Sequence, residues 1–231
     1  RHTYGAVDLG TNNCRLLIAR PTAEGFTVID AFSRIVRLGE GLSASGRLSK
    51  DAMDRSVAAL AVCADKLRRR HVSLARSVAT EACRRAANGR EFIERVRQET
   101  GVVLEIIAPQ EEARLAVLGC HKLLEPGDGP ALIFDIGGGS TELVRIERDP
   151  AESNAPPRIK AWMSIPLGVV TLAEHFGGKN VTKECYARMI AEVAKYVAPF
   201  AAEHGTDLRD MHMLGPSGTV TTLAGVFMTL P

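Results

Sequence analysis

Two stretches of the chain follow one pattern, "YGAVDLGTNNCRLLIA" at 4–19 and "ALIFDIGGGSTELVRIE" at 131–147. Each runs an apolar segment into an aspartate, an aliphatic residue, a glycine, three turn-forming residues and a second apolar segment. Asp8 matches Asp135, Gly10 matches Gly137 and Leu16 matches Leu143. This punctuation predicts a strand–turn–strand hairpin at each place. The two lie 127 positions apart in a chain of 231, more than half its length. They are therefore expected to be equivalent turns of two duplicated halves rather than units of a solenoid.

Each half carries a matching inventory. After the first hairpin, "FTVIDAFSRIVRL" supplies another strand or two. A helix is predicted over Leu48 to Arg70, with Ser49 as N-cap and Val57, Leu60, Ala61, Ala64 and Leu67 at helical spacing. "SLARSVAT" reads as a strand, "EACRRA" opens a helix that Asn88-Gly89 interrupts, and Arg90 to Thr100 continues as helix. "VVLEII" is a further strand, a helix begins near Gln110, and "EPGDGP" at 125–130 marks a junction. In the second half a third strand is expected near Ile159 to Ile165, a helix from about Val181 to Glu203 and a strand at Met211 to Leu214. The polar, proline-rich "RDPAESNAPPR" is expected to be an exposed hairpin loop. Strands followed by alternating helices and strands predict an α/β protein with two domains, residues 1–118 and 119–231, each a mixed sheet flanked by helices. If the halves are equivalent, the second lacks the counterpart of its last strand and helix, and a longer parent protein is expected.

Composition narrows the partners. With 45% hydrophobic residues and 24% charged, the chain can bury substantial cores. A net charge of +2 gives no electrostatic case for a nucleic-acid or membrane surface. The five cysteines are scattered and never form a CxxC pair, so no disulfide framework or zinc knuckle is expected. No apolar run approaches the roughly 20 residues of a membrane span, and the expected location is the cytoplasm.

Glycine-rich turns leave backbone N–H groups unpaired and let a ligand come close, since no Cβ stands in the way. Phosphate oxygens suit such donors. Ser140 and Thr141 add hydroxyls, and Asp135 at the strand end is suited to a divalent cation, partly through water. A third glycine turn, "MLGPSGTVTT" at 213–222, opens a helix at Ser217, Gly218 and Thr219, a further candidate anion seat. "PQEEARLAVLGC" at 109–120 starts a helix with two adjacent glutamates, which point about 100° apart. Glu112 shares its face with Ala116 and Gly119, and Glu111 shares its own with Leu115 and Leu118. Both also fit a plain role as first-turn acids on a helix dipole. Of Arg84 and Arg85, either could reach a phosphate with its planar fork or serve as a surface charge.

Together these residues resemble the exopolyphosphatase and guanosine pentaphosphate phosphatase family. The resemblance runs through "AVDLGTNNCRLLIA", "RIVRLGEGLSASGRLS", "VATEACRRAAN", "QEEARLAVLG", "LIFDIGGGSTELV", "IPLGVVTLAEHF" and "LGPSGTVTTLAG", in that order. It implies two ribonuclease-H-like domains of the actin, Hsp70 and sugar-kinase superfold around a cleft. It further implies Glu112 as the base that activates water, and Asp8, Asp135 and Glu142 as organisers of magnesium. Phosphate contacts would come from Thr11, Asn12, Arg84, Gly137, Gly138, Gly139, Ser140, Thr141, Ser217, Gly218 and Thr219. Asn13 stands where the family more often has serine. The implied substrate is inorganic polyphosphate or guanosine pentaphosphate (pppGpp), with no nucleic-acid or membrane partner and a possible homodimer. An ATP-dependent kinase of the same superfold would need an adenosine pocket and an acceptor. A pure polyphosphate or pppGpp sensor would not need the base.

Overall fold

The structure is a computed structural model that describes residues 2–23, 25–124, 129–147, 156–205 and 211–230. It divides into two compact units, residues 1–108 and 109–231.

Unit 1 opens with β1 (Tyr4–Leu9), β2 (Asn13–Thr22) and β3 (Gly25–Ile35), an antiparallel run. A short α1 (Leu42–Ser45) leads to α2 (Lys50–Arg69), β4 (Leu74–Ala79), α3 (Glu81–Arg85), α4 (Gly89–Thr100) and β5 (Glu105–Ile106). The sheet order is β3-β2-β1-β4-β5, with β4 and β5 parallel to β1. The Ser49 hydroxyl caps α2 by accepting from the Ala52 N–H at 3.2 Å, as its sequence position predicts. The buried face of α2 includes Ala52, Val57, Leu60 and Cys63, whereas Ala61 points outward. These side chains pack with Val7, Leu9, Leu16 and Ile18 from the sheet and with Phe92 and Val96 of α4. Between α3 and α4 the chain breaks at Ala86–Asn88, as the Asn88-Gly89 pair suggested. Gly89 is required there because a Cβ would strike the Cys83 carbonyl. Of "VVLEII", only Glu105 and Ile106 pair into the sheet, while Val102, Leu104 and Ile107 are buried.

Unit 2 begins with α5 (Pro109–Cys120), followed by β6 (Ala131–Ile136), β7 (Thr141–Glu147), β8 (Arg158–Ile165), α6 (Val169–Phe176), α7 (Lys183–His204), β9 (His212–Leu214) and α8 (Gly218–Phe227). Its sheet runs β8-β7-β6-β9, with β9 parallel to β6. The boundary expected after residue 118 falls inside α5. That helix belongs with the second sheet because Ala113, Val117 and Cys120 pack onto Ala131, Ile133, Val144 and Ile146. Most of "EPGDGP" and of "RDPAESNAPPR" lies outside the described residues; the strands flanking the latter do form the expected antiparallel pair. Helix α6 was not legible in the sequence, where Val169-Val170-Thr171 favours a strand. Its first turn is fixed instead by the Thr171 hydroxyl, which accepts from the Gly168 N–H at 2.7 Å and donates to the Gly168 carbonyl at 3.1 Å.

The duplication extends beyond the two turns. Asp8 opposes Arg15 across β1 and β2, and Asp135 opposes Glu142 across β6 and β7. The β2–β3 register slips at Ile18/Ala19 and the β7–β8 register at Arg145/Ile146, equivalent places in the two halves. Among the described residues, no helix is long and apolar enough to cross a membrane.

Asp30 on β3 ties the sheet to the end of α2, accepting from Lys66 Nζ at 2.8 Å and Arg70 Nε at 2.9 Å. These donors hold its carboxyl down at about 2, against an ordinary value of 3.8. A depressed acid contributes its stability above the unfolded-state value and loses it as pH falls through the folded one. Asp30→Asn should therefore lower the denaturant midpoint slightly at pH 7. The gap to wild type should narrow as unfolding is followed from pH 5 towards pH 3, and a gap independent of pH would contradict the ion-pair assignment.

Candidate active site

The turn at 137–140 is shaped by where its carbonyls go. Gly137 N–H donates to the Ser140 carbonyl at 2.9 Å and closes the turn. The Gly137 carbonyl accepts from Val169 N–H at 3.0 Å, and the Gly138 carbonyl accepts from Val170 and Thr171 N–H at 2.9 and 3.3 Å. The first turn of α6 thus spends its N–H groups on this loop. Among the described residues, no backbone carbonyl accepts from Gly138 or Gly139 N–H. A Cβ on Gly137 would stand 3.0 Å from the Ser140 carbonyl oxygen, and one on Gly168, where α6 approaches, would stand 2.5 Å from both the Gly137 oxygen and the Gly138 carbon. Ser140 is buried in the turn. The Thr141 hydroxyl donates to the Leu167 carbonyl at 2.8 Å, so its proton fastens the α6 approach rather than facing a ligand.

The carboxylates sit directly behind the turn. Asp135 and Glu142 are partners on β6 and β7, and Ser164 continues the row on β8. Glu142 is buried, and one of its oxygens accepts from the Ser164 hydroxyl at 2.8 Å. Helix α5 covers this face of the sheet. Burial pushes the Cys120 thiol on α5 up to about 11, and the negative charge of Asp135 adds to the shift. Helix α5 carries the two adjacent glutamates in its first turn. Glu111 is held by its neighbour Arg114, whose Nε and Nη2 donate to its two oxygens at 2.7 and 2.9 Å. Glu112, half-buried, precedes the sheet-facing Ala113 and lies on the flank of the packed face.

Because β8 and β9 both run parallel to β6, the segments after all three strands emerge at one edge of the sheet. That edge collects the Gly137–Ser140 turn, the start of α6 and the start of α8. There the buried Ser217 accepts from Val220 N–H at 3.4 Å as the cap of α8, with Gly218 and Thr219 in its first turn.

Unit 1 carries a related arrangement, with the gripped carbonyls one residue further along its turn. Gly10 N–H donates to the Asn13 carbonyl at 2.9 Å. The Thr11 carbonyl accepts from Gly39 N–H at 2.9 Å, and the Asn12 carbonyl accepts from Val36 and Arg37 N–H at 2.8 and 3.0 Å. Asp8, Thr11 and Asn12 therefore share an edge with the start of α3, which carries Arg84. Arg84 is pinned: Nε and Nη2 donate to Glu81 Oε2 at 3.1 and 2.7 Å, and Nη1 donates to the Ile107 carbonyl at 2.6 Å. Glu81 and Ser164, which orient Arg84 and Glu142, were missed in the sequence. Glu81 stands three residues before Arg84, a helical ion-pair spacing that could have found it, while nothing in spacing pairs Ser164 with Glu142.

Asp135 and Glu142 are hard oxygen donors on adjacent strands. Magnesium is usually held by one or two carboxylates with waters and substrate phosphate, so this pair fits the ion. Asp8, the third expected ligand, belongs to unit 1. Among the described residues, no three His, Cys, Asp or Glu side chains gather as a metal-ligand group.

Comparison with known proteins matches residues 17–231 to the model of the Ppx/GppA phosphatase family. The solved Aquifex aeolicus member of that family is 31% identical, with a TM-score of 0.75 over 99% of this chain and 70% of its own. An exopolyphosphatase-like protein is 30% identical with a TM-score of 0.85, covering 99% and 70% of the two chains. An exopolyphosphatase from Cytophaga hutchinsonii is 26% identical with a TM-score of 0.87 and the same coverage. The fold is thus two ribonuclease-H-like units of the actin-like kind. With α5, the Gly137–Ser140 turn and the α8 terminus all inside the matched span, the chain belongs to the Ppx/GppA phosphatase family.

Proposed function

We propose that the protein is an exopolyphosphatase, which hydrolyses the terminal phosphoanhydride bond of inorganic polyphosphate and releases orthophosphate. The observation that carries this reading is the Gly137–Ser140 turn, with its carbonyls engaged from within and the Asp135–Glu142 pair immediately behind it. An uncharged, side-chain-poor donor loop beside two acids suits a polyanion accompanied by a cation. Membership of a phosphatase family supplies the reaction type.

The terminal phosphoryl group is assigned to the N–H groups of Gly138 and Gly139, with the α8 terminus at Ser217, Gly218 and Thr219 as a neighbouring anion seat. The β1–β2 turn, with Thr11 and Asn12, and the preoriented fork of Arg84 are assigned to the same class of ligand, while Asp8 keeps the metal role that the resemblance implies. Asp135 and Glu142 would hold a magnesium ion, which when bound neutralises phosphoryl charge. Glu112 takes the base role that the family resemblance implies for it, on the helix that packs onto the sheet carrying Asp135 and Glu142. It accepts a proton from the water whose oxygen attacks the terminal phosphorus, as the bond to the leaving phosphate breaks. Positioning and electrostatics supply most of the catalysis in phosphoryl transfer, and polyphosphate presents nothing else to recognise. Removal of the 5′-terminal phosphate of pppGpp uses the same bond chemistry and is the second reading, since the family embraces both.

Proton transfer to a placed base is worth roughly 10² to 10⁴ in rate. Glu112→Gln should lose that much phosphate release while retaining polyphosphate binding by calorimetry, and Glu111→Gln should lose far less. Equal losses at both positions would remove the base assignment. Phosphate release from long-chain polyphosphate and from pppGpp, measured side by side with and without magnesium, should show magnesium-dependent turnover of polyphosphate. Turnover of pppGpp alone would replace the first reading with the second.

A further inference from the structure

Two motifs are left unused by this mechanism, "RIVRLGEGL" at 34–42 and "IPLGVVTL" at 165–172. Both lie just after the third strand of their unit, and both set a buried leucine, Leu38 or Leu167, before a glycine. We infer that these segments are a duplicated positioning element, and that Gly39 and Gly168 are positioning residues that aim the N–H groups of the two turns at phosphate. The inference rests on the polyphosphate reading above.

In a planar trans peptide, C=O and N–H point in opposite directions. Whatever grips a carbonyl therefore fixes where the N–H of the next residue points. In unit 2, Val169 N–H holds the Gly137 carbonyl, and Val170 and Thr171 N–H hold the Gly138 carbonyl. These bonds turn the N–H groups of Gly138 and Gly139 away from α6. In unit 1, Gly39 N–H holds the Thr11 carbonyl, and Val36 and Arg37 N–H hold that of Asn12. The Asn12 N–H is turned outward in the same way. A related device appears in both units, one residue further along the turn in unit 1 and with no side chain in common, so it follows from the backbone approach itself.

That approach requires a missing side chain. Gly168 is extended (φ −138°, ψ −175°), a conformation open to any residue, so only space forbids a Cβ there. The Cβ would lie 2.5 Å from the Gly137 oxygen and the Gly138 carbon, atoms of the turn itself. At Gly39 the obstruction is the Thr11 methyl, a side-chain atom able to shift. Gly168 thus offers the stronger test and Gly39 the gentler one.

The experiment compares wild type, Gly168→Ala and Gly39→Ala in steady-state phosphate release from polyphosphate with magnesium, and in calorimetric binding of inorganic tripolyphosphate. Thermal unfolding is followed through Trp162, the single tryptophan. Losing charge-assisted hydrogen bonds should lower kcat/KM of Gly168→Ala about 10- to 100-fold, mostly through KM, with tripolyphosphate affinity falling in parallel. Gly39→Ala should show the same split with a smaller fall, and it carries the test if Gly168→Ala does not fold. Folded variants with wild-type KM and tripolyphosphate affinity would overturn the inference. If wild type bound tripolyphosphate without hydrolysing it, the function would fail while the affinities still judged the positioning element.

Discussion

Everything proposed for this protein depends on a polarity imposed on two short loops. A hairpin turn exposes carbonyls and N–H groups alike, and an unmodified mixture has no preference for an anion. Here the carbonyls of Thr11, Asn12, Gly137 and Gly138 are consumed by backbone donors of the same unit. Each loop is left with a surplus of outward donors. An anion seat made this way carries no titrating group of its own and needs no lysine.

The duplicated units share that backbone device but differ in the side chains around it. Where unit 2 sets Glu142 opposite Asp135, unit 1 sets Arg15 opposite Asp8. The acidic pair and the two glutamates of α5 belong to unit 2, and the clamped Arg84 belongs to unit 1. The proposed base and the acidic pair are thereby concentrated in one unit, with Asp8 in the other. Placing α5 with the second sheet matters for the same reason, since Ala113, Val117 and Cys120 anchor Glu112 to the face that carries Asp135 and Glu142.

Much of this was legible in the sequence because it is written in local patterns. The two hairpins, the Ser49 cap, the break at Asn88-Gly89 and the third strand of unit 2 follow from turn residues and periodicity. Helix α6 did not, because its start is set by Gly168 and Thr171 against a β-branched run. The domain boundary moved because packing of α5, not loop composition, decides which unit owns it. For the glycines, the sequence suggested clearance for phosphate. The geometry adds a glycine outside the turn, Gly168, whose own missing Cβ lets the α6 terminus close on it. Ser164 escaped notice because a clamp one strand away leaves no signature in spacing, whereas Glu81, three residues before Arg84 on one helix, stood at an ion-pair spacing that could have revealed it.

The most direct test is to label the backbone with nitrogen-15 and follow the amide resonances as inorganic tripolyphosphate is added. The account predicts the largest shifts at Gly138 and Gly139, with a companion shift at Asn12. Shifts concentrated on basic surface side chains such as the Lys66 to Arg70 run, with those three amides unmoved, would contradict it.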